Sequence, residues 1–374
     1  MICHGCELED FRNVDSAAVR FCDGVNILVG DNGQGKTNMV EAIYLCSVGK
    51  SFRGADEAEM IGFNKPGARV TVNYSDAVRQ QSISIILSRD HRRQVEHNHV
   101  KIHRMSDMVG SLSSVLFCPE HLSVVKDGPA QRRNYLDIAI SQLRPLYMAS
   151  LQKYGKILKQ RNKLIRDADT DRRTFNETID FWSAQLAAEA AIISKMRVSY
   201  VRRARELVAG FFADMTGGTE VPELIYSGSS HDEEDMYDDT TATQARYLSL
   251  LSENHDREIA AGTTLWGVHK DDITILLNSH PARVFASQGQ QRSIALAMKL
   301  SEGEISRTQR GEYPVFLLDD VLSELDARRR EYLINEIKGR QVIMTCCEGV
   351  PVSNAEIIHV KSGCYSVGGN EVKQ

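Results

Sequence analysis

Eight residues, Gly30-Asp-Asn-Gly-Gln-Gly-Lys-Thr37, constrain this chain more than anything else in it. They fit the pattern G-x-x-x-x-G-K-[ST]. They stand directly between a short apolar run, Asn26–Val29, and a segment with helical apolar spacing at Met39, Val40, Ile43 and Tyr44. The glycines let consecutive backbone N–H groups wrap a polyphosphate with no Cβ in the way. The following helix aims its N-terminus at the same anion. In that setting Lys36 reaches the β- and γ-phosphates, and the Thr37 hydroxyl is placed to hold Mg²⁺. Strand, loop and helix in this order predict an α/β fold.

Two further segments carry chemistry. Val315–Leu318 is an apolar run ending in Asp319 and Asp320. A buried strand beside the phosphate loop would hold Asp319 near the metal, with Asp320 where a water attacking the γ-phosphate is oriented. Taken alone, the same residues describe an ordinary core strand and an acidic turn. Ser287-Gln-Gly-Gln-Gln-Arg292 opens a helix. Ser and Gly at a helix N-terminus suit a γ-phosphate. The chain's own phosphates belong to its loop, so that second phosphate belongs to another subunit.

The remaining sequence divides by pattern. Alternation over residues 68–103 predicts a small antiparallel sheet with a turn at His97-Asn98. From Gln131 to Phe212 the spacing predicts two long antiparallel helices of about 25–30 residues, about 40 Å each. The acidic run His231–Asp239 reads as a solvated loop. Strand signals return at Ile273–Leu277, Val315–Leu318 and Gln341–Met344. The expected domains are 1–122, a nucleotide-binding part; 123–264, an inserted helical domain; and 265–374, the return of the first.

The 374 residues carry a net charge of −5, so a nucleic-acid surface must be a local patch. Residues 126–213 hold 17 Lys and Arg against 9 Asp and Glu, which makes the helical insertion the basic region. The sequence does not choose among Lys153, Lys156, Lys159, Arg161 and Lys163 there. Eight cysteines with one CxxC (Cys3–Cys6) suit reduced thiols rather than a disulfide scaffold or a zinc site. The alternation of His91, His97, His99 and His103 suits a sheet edge. With no secretory leader and no apolar stretch of membrane-spanning length, a cytoplasmic protein is expected.

The order of these motifs resembles an ABC-type ATPase head and, within that class, the RecF family of recombination mediators. The blocks that carry the resemblance are GDNGQGKTNMVEAIY (30–44), KSFR (50–53), FCPEHLSVVKDGPAQRRNYLD (117–137), QKYGKILKQRN (152–162), GVHKDDI (267–273), SQGQQRSIALAMKL (287–300) and VFLLDDVLSELD (315–326). The resemblance implies a head with a mixed or parallel sheet, an antiparallel β subdomain and an inserted helical domain. It implies that Gly30, Asp31, Asn32, Gly33, Gln34, Gly35, Lys36, Thr37 and Asn38 bind ATP, with Thr37 and Asp319 holding Mg²⁺. Ser287, Gln288, Gly289 and Gln290 would close on a partner's ATP, and Asp326 would lie in the loop between the two sites. Lys36, Asp319 and Asp320 would carry catalysis.

The implied protein is an ATP-dependent DNA-binding protein of replication, recombinational repair and the SOS response, with weak DNA-stimulated ATPase activity. It would form a homodimer on ATP, bind gapped, single- or double-stranded DNA, and help load RecA together with RecO and RecR. This sequence departs from the wider class at three places. Asp320 stands where Glu is usual, no His follows Gln341–Thr345, and Pro119-Glu120 occupies the glutamine-loop position, which puts Glu120 near the site. In GVHKDDI, Val268 and Lys270 replace the family's Pro and Arg.

Other readings fit less well. Too few residues separate Lys36 from Ser287 for the long coiled-coil arms of an SMC or Rad50 protein, although a related head with a different DNA task remains the alternative. A transporter ATPase would carry the missing His. A small-molecule kinase has no use for SQGQQR.

Overall fold

The phosphate loop fixes the first layer of the fold because it needs a strand before it and a helix after it. The computed structural model describes residues 1–347 and 354–368. Along the chain come β1 (Ile2–Phe11), β2 (Val14–Arg20), β3 (Val25–Val29), α1 (Lys36–Val48), α2 (Glu57–Met60), β4 (Gly67–Ser75), β5 (Gln80–Ser88), β6 (Gln94–His97), β7 (Val100–Ile102) and β8 (Ser114–Phe117). Next are α3 (Pro129–Leu143), α4 (Pro145–Asp167), α5 (Arg172–Thr216), β9 (Pro222–Ser227), α6 (Thr240–Glu253), α7 (His255–Ala261), β10 (Asp272–Leu277), β11 (His280–Pro281), α8 (Ala282–Phe285) and α9 (Gln288–Arg310). The chain returns with β12 (Val315–Leu318), α10 (Ala327–Glu336), β13 (Val342–Cys346), β14 (Glu356–Lys361) and β15 (Cys364–Val367).

Two compact units result, Met1–Leu122 with Lys299–Gln374, and Ser123–Met298. The second unit runs on to Met298, inside α9, where the sequence reading closes the insertion at residue 264. The reason is strand pairing. β10 pairs antiparallel with β9, which keeps residues 265–298 with the helices.

The first unit holds two six-stranded sheets. One runs β2-β1-β4-β5-β6-β7 and is antiparallel throughout. It is larger than the expected sheet because β1 and β2 join it, and its last turn is Asn98-His99, one residue beyond the expected place. The other runs β15-β14-β3-β13-β12-β8, parallel except for β15. Its strands β8, β12 and β13 are buried at every residue, as a parallel sheet covered on both faces demands. Between the sheets' elements sits α1, in which every residue except Thr37 is buried. Its lack of a polar face is what a core helix needs.

In the second unit the expected first helix is two. Arg144 caps α3, and Pro145 opens α4 at N1, where its missing N–H and fixed φ cost nothing. The next helix, α5, runs 45 residues, about 68 Å. It ends at Gly217 in the left-handed conformation.

Buried arginines staple this unit. Arg161 of α4 is fully buried. It donates to Glu258 of α7 at 2.5 Å, Thr264 at 2.9 Å and Ser183 of α5 at 3.0 Å. Arg197 of α5 donates to Tyr147, the Val268 carbonyl, Asp137 and Asp271. Arg132 grips Asp272 through two parallel bonds of 2.7 and 2.8 Å. The 152–162 and 267–273 blocks thus supply internal ion pairs. The acidic run also has a partner: Arg202 binds Asp235 and Asp238, Arg205 binds Glu234, and Arg246 binds Asp232. It is a docked segment on α5, not a solvated loop.

Arg161→Ala leaves Glu258 charged in a dry site and should lower the unfolding free energy by roughly 3–5 kcal/mol. Replacing Arg161 and Glu258 together by Met should recover most of that loss. Denaturant unfolding of both variants checks it.

Candidate nucleotide site

The carboxyl ends of β3, β13 and β12 converge on one face, where an α/β sheet places its ligands. The strand ending in Asp319, expected beside the phosphate loop, is separated from the phosphate-loop strand by one strand. β13 lies between them, and its Thr345 fills the gap. Thr37 Oγ1 donates to Asp319 Oδ1 at 2.9 Å, and Thr345 Oγ1 donates to the same oxygen at 3.0 Å. Thr345 Oγ1 in turn accepts from the Asp320 N–H at 2.9 Å. Nothing in the sequence marked Thr345 except its place at the end of an apolar strand.

Asp319 is buried, 6% exposed, and burial raises its carboxyl pKa above the ordinary value. The two hydroxyls oppose that shift, while the charges of Asp320 and Glu120 add to it. Glu120 follows β8, whose Phe117 pairs with Leu318, and so it acts on Asp319 from the outer neighbour. Asp320 is exposed, with φ 49°, in the left-handed region that Asp and Asn tolerate best.

Within the loop, Gly33 and Gly35 have φ of 80° and 113°, so both need glycine's freedom. Lys36 Nζ donates to the carbonyls of Gly30 at 2.5 Å and Asp31 at 2.9 Å. Asn32 accepts from the Cys347 thiol at 3.0 Å. Asn38 donates to Asn13 at 2.5 Å. The loop opens on a cavity of about 610 Å³ whose lining includes Lys36, Thr37, Asn38, Asp320 and Thr345 on one side and Arg12, Arg53, Phe63 and Arg89 on the other.

A buried carboxylate supports this wall. Glu41 of α1 accepts two bonds from Arg12, 3.0 and 2.7 Å, and one of 2.5 Å from Ser51. That contact gives KSFR its place, since Arg53 reaches both Glu41 and Asn38. Arg12, Asn13 and Glu41 were not legible as site residues.

The remaining candidates lie elsewhere. Ser287 caps α9 reciprocally with Gln290: Ser287 N–H donates to Gln290 Oε1 at 2.6 Å, and Gln290 N–H donates to Ser287 Oγ at 3.3 Å. Gln290 also donates to Glu220 at 2.5 Å, so its amide is committed to holding the segment, while Ser287 and Gln288 stay exposed. These residues belong to the second unit, the phosphate loop to the first. Asp326 caps α10, accepting the Arg329 N–H at 2.9 Å. His97 bonds Tyr74 and Gln81, and among the described residues no group of three or more His, Cys, Asp or Glu is arranged to hold a metal.

The two sheets and the motif order define an ABC-type ATPase head. Residues 3–365 match the RecF/RecN/SMC N terminal domain family. An Smc head domain from Pyrococcus furiosus superposes with a TM-score of 0.57, covering 98% of this chain and 95% of that one; at 16% identity the likeness concerns fold alone. The DNA replication and repair protein RecF of Ruminiclostridium cellulolyticum is 37% identical over 372 residues, 99% of each chain. The solved recombination mediator protein RecF-ATP, of the RecFOR pathway, superposes with a TM-score of 0.91 at 30% identity, covering 98% of both chains. The chain belongs to the RecF family. No helix among the described residues is long and apolar enough to cross a membrane.

A carboxyl whose pKa rises on folding stabilises the fold only when protonated, and it costs stability as pH rises through its folded value. Asp319→Asn should therefore make the nucleotide-free protein more heat-stable at pH 7. The gain should vanish below the ordinary carboxyl value of 3.8. Melting curves from pH 3 to 7 test this.

Proposed function

We propose that this protein is an ATP-gated DNA-binding protein of replication and recombinational repair, acting with RecO and RecR to direct RecA onto gapped DNA. The observation that carries the reading is the hydrogen bond of 2.9 Å from Thr37, which lines the phosphate-loop cavity, to Asp319. Two hard oxygen donors at the mouth of a glycine loop suit Mg²⁺ with a nucleoside triphosphate. Thr37 and Asp319 would hold the ion, and the backbone N–H groups of residues 33–37 with Lys36 would hold the phosphates. Bound Mg²⁺ would neutralise phosphate charge. Lys36 gives up its two carbonyl partners to reach the phosphates. Asp320, held by Thr345 at its N–H, would orient the attacking water and accept its proton. Its carboxylate is one methylene shorter than the usual Glu, which suits slow turnover.

Ser287 and Gln288, exposed on a firmly capped helix, would contact the nucleotide of a second copy, so that ATP governs dimerisation. An assembled dimer without coiled-coil arms suits a local DNA task, in contrast to an SMC-type head with a different DNA role. The DNA surface we assign to α4. The basic surplus of the insertion is largely consumed: Arg132, Arg161, Arg197, Arg202 and Arg205 are all in ion pairs, and Lys153 pairs with Glu189. Lys156, Lys159, Lys163 and Arg166 remain exposed. Their spacing of 3, 4 and 3 residues puts them in one stripe about 15 Å long, able to follow a phosphate backbone.

Lys36→Ala should abolish tight ATP binding and nucleotide-dependent dimerisation. Asp320→Asn, which tolerates the same backbone conformation, should keep Mg²⁺-ATP binding and lower hydrolysis by ~10²-fold or more. ATP titration and turnover on the two variants decide between a nucleotide site and a merely structural loop. Equal loss of binding in both would refute the division of roles.

Lys156→Glu with Lys163→Glu should weaken binding to duplex, gapped and single-stranded DNA alike and reduce the salt slope by about 2. ATP affinity should be unaffected. An unchanged slope would move the DNA surface off α4.

A further inference from the structure

The phosphate loop is gripped from behind by a hairpin. β14 and β15 are joined by a two-residue turn, Ser362-Gly363, with φ of 50° and 77°, the turn that right-twisted strands favour. Both turn N–H groups are directed at Gln34. Ser362 N–H donates to Gln34 Oε1 at 2.6 Å, and Gly363 N–H donates to the Gln34 carbonyl at 2.9 Å. Tyr365 Oη donates to the Gly35 carbonyl at 2.8 Å. β14 also runs close beneath Gly30, where a Cβ would come within 2.2 Å of the Val360 carbonyl oxygen. From the other sheet, Asn13 Nδ2 donates to the Gly33 carbonyl at 2.9 Å.

Each of these bonds has a second effect. A trans peptide is planar, so its C=O and the following N–H point in opposite directions. Holding the Gly33 carbonyl therefore sets the Gln34 N–H, holding the Gln34 carbonyl sets Gly35, and holding the Gly35 carbonyl, which Tyr365 shares with the Asn38 and Met39 N–H groups of α1 at 3.0 and 3.3 Å, sets Lys36. The donors that could otherwise rotate away are fixed through the opposite ends of their own peptide planes. Gln34 is thus explained as the side chain the turn reads, while its neighbours Gly33 and Gly35 line the cavity.

We propose that the β14–β15 hairpin is a brace that preorganises the phosphate loop, and that Tyr365 is a positioning residue which aims the Lys36 N–H at a polyphosphate. This rests on the nucleotide reading above. Preorganisation gives affinity by removing the need to order the loop on binding.

Tyr365→Phe keeps the ring and removes only the donor. In the full chain, dissociation constants for ATP and for inorganic tripolyphosphate should both rise about 3–10-fold, the range of one net hydrogen bond. The melting temperature should stay within a few degrees of the parent. Amide hydrogen exchange should quicken over residues 33–36 and remain unchanged in β4 and β5. Gln34→Leu, which removes the Ser362 bond to the side chain and keeps the Gly363 bond to the carbonyl, should shift the same amides in the same direction by less. Parental affinity and exchange in Tyr365→Phe would overturn the brace, as would faster exchange throughout the unit. Lys36→Ala separates the two readings. If it binds tripolyphosphate as the parent does, the nucleotide site itself is refuted. If it fails while Tyr365→Phe binds normally, only the brace falls.

Discussion

One carboxylate oxygen ties the first unit together. Asp319 Oδ1 receives hydroxyls from Thr37, at the start of α1, and from Thr345, at the end of β13. Thr37 lies 282 residues from Asp319 in sequence and Thr345 lies 26. A carboxylate this buried is tolerable only with such donors, and even with them burial keeps its pKa raised. The parallel sheet must therefore keep its strand order and register, because a slip of one residue on β12 would turn Asp319 to the other face. The chemistry wanted at the site and the geometry that holds the sheet are the same constraint.

The parts of the site that sequence made legible are those in which backbone conformation and residue type coincide locally. A loop needing positive φ at Gly33 and Gly35, followed by Lys and Thr at a helix start, leaves few alternatives. SQGQQR was legible as a capped helix start for the same reason. What could not be read was strand order. Asn26–Val29, Val315–Leu318 and Val342–Cys346 are all short apolar runs, and apolarity does not say which run lies beside which. Hence Thr345 was passed over.

Charge misled in a related way. Arg161 stands among the basic residues between which the sequence does not choose, yet it and Arg197 are both buried against carboxylates supplied by other segments. The acidic run at 231–239 was likewise indistinguishable from a solvated loop until Arg202 and Arg205 came opposite it. A count of basic residues thus overstated the phosphate-binding surface of the insertion, because several of those residues, Arg161 and Arg197 among them, are engaged by carboxylates visible only in three dimensions. The break at Pro145 belongs to the other kind: proline at N1 of a new helix is a local signal, and continuous apolar spacing across it concealed the boundary.

The pairing of β3 with β13 and β14 has a consequence for how the protein comes into being. On the ribosome, residues 30–37 emerge early, but the contacts that shape them are separated from them by about the whole chain: 328 residues for Gln34 with Ser362 and 330 for Gly35 with Tyr365. Such long loops close slowly. Until the last strands are made, the nascent loop has neither its sheet neighbours nor its hairpin. Translation thereby imposes an order of events: the helical unit, whose segments Ser123–Met298 are contiguous, can mature while the chain is still growing. The phosphate cradle matures only after β14 and β15 have been made.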